Sequence, residues 1–186
     1  MDGSSGEGSA INSFSLVVYV PQPLAGFIER LRQEIQPGCT LRSHLTFLPP
    51  RPLEIPLNEI CSQVEAGLQN QSAFRVRLLD VQIFPVSYAV HLSLGAGWNE
   101  ADQIHQSLNR GDLYRKELFE YHPHVTLAQD LDPANLDSVK DFATRRWQEY
   151  TGSRDFPVDH LTLVQNQIEC GWTNLGEFAL RVPVSA

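Results

Sequence analysis

Two histidines head the same short pattern, and their side chains are the ones best suited to chemistry. His44 is followed two positions later by Thr46, and His124 is followed in the same way by Thr126. Both patterns lie in apolar runs typical of β-strands, where successive side chains point to opposite faces. Each histidine therefore shares a face with its threonine. Because a polar pair is costly to bury without partners, we expect each pair to line a polar cleft.

Breaking a phosphodiester is the chemistry that such a set of side chains suits. One group must take the proton of the attacking hydroxyl, and another must protonate the leaving oxygen. Histidine, with an ordinary pKa of about 6.5, can do either near neutral pH. Threonine hydroxyls can donate to the non-bridging phosphate oxygens as charge builds in the transition state. The scheme requires no metal, and we expect no metal or other cofactor.

The elements around the two motifs repeat in the same order, and His124 follows His44 by 80 residues. Apolar periodicity and turn residues predict for the first half a strand at 15–20, a helix at 24–35, the motif strand at 44–48, a helix at 57–68 and strands at 74–79 and 81–84. They predict for the second half a strand at 88–94, a helix at 100–108, the motif strand at 124–128, a helix from Asp132 through Trp147 and strands at 158–164 and 178–182.

This repetition predicts an α+β fold with two lobes, each a small, mainly antiparallel sheet with outer helices. The halves that form the lobes run approximately from 13 to 86 and from 87 to 186, within one domain. Residues 1–12 are small, polar and glycine-rich, which is typical of a flexible leader. If a pseudo-twofold axis relates the lobes, the motif strands face a central cleft and bring the two histidines together.

With these motifs, Ser-His-Leu-Thr-Phe at 43–47 and Pro-His-Val-Thr-Leu-Ala at 123–128, the sequence resembles the 2H phosphoesterase superfamily, which includes 2′-5′ RNA ligase-like proteins and cyclic phosphodiesterases. The resemblance covers residues 14–182. It implies that His44 and His124 are catalytic and that Thr46 and Thr126 bind phosphate. It also implies cofactor-independent action on 2′,3′-cyclic or 2′-5′ phosphodiester bonds of nucleotides or RNA ends. The alternatives are a non-catalytic module that binds a nucleotide or RNA end, and an interaction protein with a vestigial cleft.

Three further residues are candidates for phosphate binding. Arg42 and His122 each stand two positions before a motif histidine, so they either flank the phosphate from both lobes or sit at the mouth of the cleft. Gln129 stands three positions after Thr126, where branches of the family that this sequence resembles carry arginine or tyrosine. Glutamine can still donate a hydrogen bond there, but it brings no charge.

Other histidines and the tryptophans have competing interpretations. His160 heads a third His-x-Thr pattern, but its place after the second helix of its half favours an exposed histidine outside the cleft. His91 either lines the cleft or is a hydrogen-bonded structural histidine, and the second interpretation is favoured. A metal site at His122 and His124 lacks further ligands at suitable spacing. The aromatic side chains of Trp98, Trp147 and Trp172 are core or rim residues, unless one of them faces the cleft and stacks a nucleobase.

Composition limits the partners and the compartment. The chain is 42% hydrophobic and 19% charged, and its formal net charge of −8 disfavours binding along a nucleic-acid duplex. A small nucleotide or an RNA end remains compatible with a locally positive pocket. The sequence lacks a run of roughly 20 apolar residues and a signal-peptide pattern. We therefore expect a cytoplasmic monomer with no membrane partner, whose three cysteines (Cys39, Cys61 and Cys170) are free thiols.

Overall fold

The computed structural model describes residues 10–168 and 171–182. Its strands and helices follow in the order β1 (Ala10–Tyr19), α1 (Leu24–Ile35), β2 (His44–Arg51), α2 (Leu57–Leu68), β3 (Phe74–Phe84), β4 (Ala89–Leu94), α3 (Trp98–Leu108), β5 (His124–Ala128), α4 (Leu136–Gln148), β6 (Asp155–Val158), β7 (His160–Gln167) and β8 (Trp172–Ala179). Single 3-10 turns lie at Gly111–Leu113 and Pro133–Asn135.

Within the described residues the strands form two four-stranded sheets, in the orders β2-β1-β7-β8 and β5-β4-β3-β6. All pairings between these strands are antiparallel. The two sheets, flanked by helices, confirm the predicted α+β fold of two lobes. The two motif strands, β2 and β5, are each the edge strand of their own sheet.

The lobes are not the contiguous halves 13–86 and 87–186, so that part of the prediction is wrong. β3 follows the first motif in the chain but pairs with β4 in the second sheet, whereas β7 and β8 return to pair in the first. Each half therefore contributes its last strands to the sheet of the other half. Apolar alternation predicts that a segment is a strand, but it does not specify the strand with which that segment pairs.

Two helices cross between the lobes in the same reciprocal way. α1 follows β1 of the first sheet but packs beside β5, and α3 follows β4 of the second sheet but packs beside β2. Each motif strand is therefore covered by a helix from the other half. α1 buries Leu24, Ile28 and Leu31 at the spacing of a single helical face. None of the helices in the described part of the chain has the length and apolar composition needed to cross a membrane.

Several predicted boundaries need correction. β1 begins at Ala10, so the last three residues of the predicted leader belong to the sheet, while residues 1–9 lie outside the described residues. β3 is one strand with a register shift between Leu78 and Val81, where two strands were predicted. The predicted strand at 158–164 is divided between β6 and β7. β8 ends at Ala179, so it lies earlier than the predicted strand at 178–182. Cys39 and Cys61 are half-buried free thiols, and Cys170 lies outside the described residues.

A buried arginine fastens the segment that leads to the second motif. Arg51, at the end of β2, is 2% exposed. Its guanidinium donates to the carbonyl of Leu113 at 2.6 Å and to the side chain of Asn109 at 2.8 Å, and it forms an ion pair with Glu117. A guanidinium buried at this depth needs such a full set of partners. The segment between α3 and β5 is thus tied to the first motif strand.

Candidate active site

The motif strands lie next to each other where the edges of the two sheets meet. β2 and β5 approach within 8 Å between Cα atoms, although they belong to different sheets. Along both strands the burial alternates: His44 and Thr46 are half-buried while Leu45 is fully buried, and the residues of β5 follow the same pattern. The prediction that each histidine shares a face with its threonine is confirmed. The edge strands therefore bring both polar pairs to the junction of the lobes.

Hydrogen bonds across this junction hold the motif strands together. The hydroxyl of Tyr121 donates to the backbone carbonyl of Thr46 at 2.7 Å. The side chain of Gln36, after α1, donates to the carbonyl of Gln129 at 2.7 Å and accepts from its amide at 3.2 Å. The Tyr121 bond links the segment before β5 to β2 of the other sheet, and the two Gln36 bonds link the end of α1 to the residue that follows β5. They fix the relative placement of the motifs.

The two motif histidines are held by the same local bond. Nδ1 of His44 lies 2.8 Å from the carbonyl oxygen of Arg42, and Nδ1 of His124 lies 2.7 Å from the carbonyl oxygen of His122. Because a carbonyl oxygen only accepts, Nδ1 carries the hydrogen in both rings. The neutral rings therefore keep the lone pair on Nε2. Each Nε2 is left available to take a proton from a bound substrate.

Burial favours the neutral form of both rings. Desolvation lowers the pKa of His44 to about 4, against the opposing effect of its bond to the Arg42 carbonyl. The charges of Arg32 and of His124 lower it further. The pKa of His124 is also lowered, again chiefly by desolvation. The charge of His124 is among the causes that lower the pKa of His44, so the two motif histidines lie close enough to interact electrostatically.

An aromatic and polar group surrounds the His44 ring. The ring of Trp172, at the start of β8, lies 4.3 Å from it between centroids. Tyr19 pairs with His44 across the β1–β2 ladder, and its hydroxyl donates to the side chain of Asn174 at 2.7 Å. The Arg42 guanidinium stacks 3.7 Å above the Tyr19 ring. Trp172 thus faces the site, as one interpretation of the tryptophans allowed.

A buried cation near His44 was missed in the sequence. Arg32, in the last turn of α1, is 6% exposed. It donates to the carbonyl of Leu41 at 3.0 Å and to Sγ of Cys39 at 3.1 Å. The available signal was its spacing of four residues from Ile28, which places a charged residue on the apolar face of an amphipathic helix.

A different set of rings surrounds His124. Phe84 lies 4.8 Å from it and nearly perpendicular to it, and His91 lies 5.2 Å away. The His91 ring stacks on Phe84 at 3.8 Å and 12°. His91 is 1% exposed, and neither ring nitrogen has a hydrogen-bond partner among the described residues. The interpretation of His91 as a hydrogen-bonded structural histidine is therefore wrong, whereas its place beside the site agrees with the other interpretation.

The remaining candidates lie around this centre at different distances. Arg42 and His122 are both exposed, and the ring of His122 contacts those of Phe84 and His91. Gln129 is exposed just beyond β5, roughly 10 Å from Thr126 at about 3.3 Å per residue. The ring of His160 is exposed, and its Nδ1 lies 2.6 Å from the carboxylate of Asp159. His160 therefore has a partner of its own at the start of β7.

The interpretation of His122 and His124 as a metal pair gains no further ligands. Within residues 10–168 and 171–182, no group of three His, Cys, Asp or Glu side chains is arranged to hold a metal ion. In addition, Nδ1 of His124 is engaged by the His122 carbonyl. What the geometry offers chemically is a pair of imidazole bases on adjacent strands, each with a threonine on the same face.

Comparison with known proteins identifies the family and the fold of this chain. The model of the family described as the 2′-5′ RNA ligase superfamily matches residues 20–167. A search of curated proteins finds no significant match. Among solved structures, Escherichia coli LigT in its apo form is 19% identical with a TM-score of 0.62, and the alignment covers 95% of this chain and 99% of LigT.

Two ligand complexes show the same fold. Escherichia coli LigT with 3′-AMP has a TM-score of 0.63 at 18% identity, over 94% of this chain and 99% of that one. Usb1 of Kluyveromyces marxianus with uridine monophosphate has a TM-score of 0.55 at 12% identity, over 91% and 99%. At these identities the likeness establishes the shared fold alone.

Proposed function

Because the chain belongs to the 2′-5′ RNA ligase superfamily, a group of 2H phosphoesterases, we propose that it is a metal-independent enzyme acting on 2′,3′-cyclic or 2′-5′ phosphodiester bonds of nucleotides or RNA ends. The observation that carries the proposal is the matched presentation of His44 and His124. Each ring donates from Nδ1 to the carbonyl two residues earlier, which leaves both Nε2 atoms free. Such a pair supplies the base and the acid that the reaction needs.

Hydrolysis of a cyclic phosphate is then a single substitution at phosphorus, in which water replaces a ribose oxygen. Nε2 of the neutral histidine takes a proton from water as the water oxygen bonds to phosphorus. One ester bond to the ribose breaks, and the departing ribose oxygen receives the proton held on the other imidazolium. Thr46 and Thr126, on the same faces as the histidines, donate to the non-bridging oxygens. The two histidines end with their protonation states exchanged.

Local charge supports an anionic substrate in a protein whose net charge is −8. The charge of Arg32 contributes to lowering the pKa of His44, and the Arg42 guanidinium stacks over the ring of the neighbouring Tyr19. A bound phosphodiester anion favours the protonated form of a nearby imidazole, so it raises the lowered pKa of one ring toward the value an acid needs. Arg42 and His122 flank the phosphate in this proposal, and Gln129 meets a more distant part of the substrate.

Ligands of the structural neighbours support a small nucleotide as the substrate class. LigT has been crystallised with phosphate and with 3′-AMP, and Usb1 with uridine monophosphate. The second candidate function is a module of the same fold that binds a nucleotide or RNA end without turning it over. The unpartnered nitrogens of His91 beside His124 are compatible with either function, so activity must separate the two.

The deciding experiment is an assay on a panel of substrates. The protein is incubated with 2′,3′-cyclic nucleotides, 2′-5′-linked dinucleotides and ADP-ribose cyclic phosphate, and products are separated by chromatography. His44→Ala and His124→Ala should each lower kcat by about 10²-fold to 10⁴-fold, the usual worth of a positioned acid or base. His160→Ala is the matched control from the third His-x-Thr pattern and should keep full activity.

Binding measured on the same proteins separates the two candidates. An enzyme should bind a nucleotide product nearly as well after either histidine is replaced, because proton transfer contributes to the transition state and little to the ground state. Suppose instead that the wild-type protein binds nucleotides but turns over no member of the panel, and that the two replacements change affinity alone. The binding module would then be the function.

A further inference from the structure

Arg32 is a buried cation that has only neutral partners among the described residues. Its side chain donates to the Leu41 carbonyl and the Cys39 thiol, and its Nε is buried with no hydrogen-bond partner. No carboxylate in the described part of the chain forms an ion pair with it. Burying a guanidinium without a counter-charge is unfavourable, so packing alone does not account for an arginine here.

The nearest acidic residue on the same helix face is engaged elsewhere. Glu29 lies one turn before Arg32, and its Oε1 accepts from the amide of Ser43 at 3.0 Å and from the Ser43 hydroxyl at 3.3 Å. It therefore holds the residue that precedes His44 and forms no ion pair with Arg32. The charge of Arg32 is left to act on its surroundings.

His44 is a titratable group of the candidate site on which that charge acts. Arg32 holds the Leu41 carbonyl, three residues before His44, and its charge adds to desolvation in lowering the pKa of His44. The groups that face His44 from the other elements are His124 on β5, Tyr19 on β1 and the uncharged Trp172 on β8. Arg42, on the preceding loop, directs its guanidinium to Tyr19.

Within the described part of the chain, no arginine plays the equivalent part beside the second motif histidine. The pKa of His124 is lowered by desolvation and by the charge of His122, and its ring neighbours are Phe84 and His91. The two halves present their histidines through the same backbone bond. Among the described residues, an arginine charge contributes to lowering the pKa of His44 and not to lowering that of His124. Of two imidazoles that share a proton, the one farther from a fixed positive charge holds it.

We propose that Arg32 is a positioning residue that acts through His44: its unpaired charge keeps that ring unprotonated as the base and leaves the acid proton on His124. This inference rests on the proposed function for its meaning in catalysis. The same charge has no carboxylate counter-ion among the described residues, so a substrate phosphate bound beside His44 would supply one. Arg32 therefore also favours binding of the anionic substrate on the His44 side.

The test follows the imidazole C2 protons by NMR across pH in the free protein, with His44 and His124 identified from their alanine variants. Arg32→Gln keeps a donor for the Leu41 carbonyl but removes the positive charge. Because the protonated ring of His44 is then more stable, its acid dissociation constant should fall about tenfold. Arg32→Lys keeps the charge and should titrate like wild type. Arg30→Gln is the matched control, because it removes an exposed arginine from the same helix.

An unchanged titration of His44 in Arg32→Gln would overturn the inference. If that variant does not fold, Arg32→Met provides a second neutral side chain of similar length, and the same result in it has the same meaning. The titration needs no substrate, so its failure is distinct from an absence of turnover. In an active enzyme, the acidic limb of kcat/KM should move to higher pH in Arg32→Gln and stay in place in Arg32→Lys.

Discussion

Tyr121 donates its hydroxyl hydrogen to the backbone carbonyl of Thr46 at 2.7 Å, so the segment that leads into the second motif is fastened to the first motif strand. Burial raises the pKa of Tyr121, which favours the protonated phenol that donates this bond. The two motifs consequently keep one relative geometry. Their histidines are expected to titrate and to act as a pair.

The pH dependence of kcat/KM should be bell-shaped and shifted to acid. One histidine must be neutral and the other protonated in the free enzyme, and both pKa values are below 6.5, that of His44 at about 4. The rate therefore rises with pH as the base loses its proton near pH 4, and it falls as the acid loses its proton below pH 6.5. Steady-state kinetics from pH 3.5 to 9 measure this profile.

The profile of kcat should lie at higher pH than that of kcat/KM, because the bound phosphate anion raises the pKa of the acid. His160→Ala should leave both profiles unchanged, since the ring of His160 is exposed and paired with Asp159. A kcat/KM that is flat from pH 4 to pH 8 would contradict a mechanism in which two histidines exchange a proton.

Activity should persist after treatment with a chelator. In the proposed mechanism the two histidines supply the proton transfers and the threonine hydroxyls supply the hydrogen bonds to phosphate, so its steps need no Lewis acid. Rates measured with and without EDTA after extensive dialysis are expected to agree within about twofold, far below the factor of 10² or more that a catalytic group contributes. Complete loss, followed by recovery on adding zinc or manganese, would restore the metal interpretation of His122 and His124.

Replacing the motif threonines should weaken binding and rate together. Thr46→Val and Thr126→Val keep the shape of the side chain but remove the hydroxyl that, in the proposed mechanism, donates to the phosphate in the ground state and the transition state. A hydrogen bond to a charged group contributes about 1.5–3 kcal/mol, so kcat/KM should fall roughly 10-fold to 100-fold. Thr46→Ser and Thr126→Ser retain the hydroxyl and serve as controls. Equal kinetics for the valine and serine variants would remove the threonines from the site.

His91→Phe should stabilise the protein, most clearly at acid pH. Burial lowers the pKa of His91 to about 3 in the folded state. As pH falls below about 6.5, the ordinary pKa of histidine, the ring of His91 is protonated in the unfolded chain but stays neutral in the folded protein. The stability of the wild type therefore declines down to about pH 3. Phenylalanine removes this loss and can keep the stack on Phe84. The difference in free energy of unfolding between His91→Phe and wild type, measured with urea, should be about 2 kcal/mol larger at pH 5 than at pH 7.

His160→Phe is the matched control for that comparison. Its ring is exposed beside Asp159, so its replacement should not produce the same dependence on pH. If His91→Phe and wild type lose stability in parallel from pH 7 to pH 5, then His91 gains a hydrogen-bond partner or a proton in solution. The unpartnered state of its ring nitrogens would then not describe the folded protein.

The chemistry of the motifs and the type of most elements could be predicted from the sequence because both depend on local patterns. Alternation along 44–48 and 124–128 places each histidine and threonine on one face, and the strand geometry reproduces it. At the start of the predicted helix from Asp132, the Asp132 side chain accepts from the amide of Ala134, although a 3-10 turn comes before α4. Such features need only a few neighbouring residues, so the chain reveals them directly.

Which strands pair and which side chains surround each histidine were decided by the tertiary structure. Pairing of β3 with β4 and of β7 with β1 exchanges the ends of the two halves, and alternation is the same whichever partner a strand has. The unlike surroundings of the two rings arise from elements far apart in the chain: Trp172 and Arg32 near His44, and Phe84 and His91 near His124. Desolvation and the charge of Arg32 act through space, so neither lowered pKa could be read from motifs that look alike in sequence.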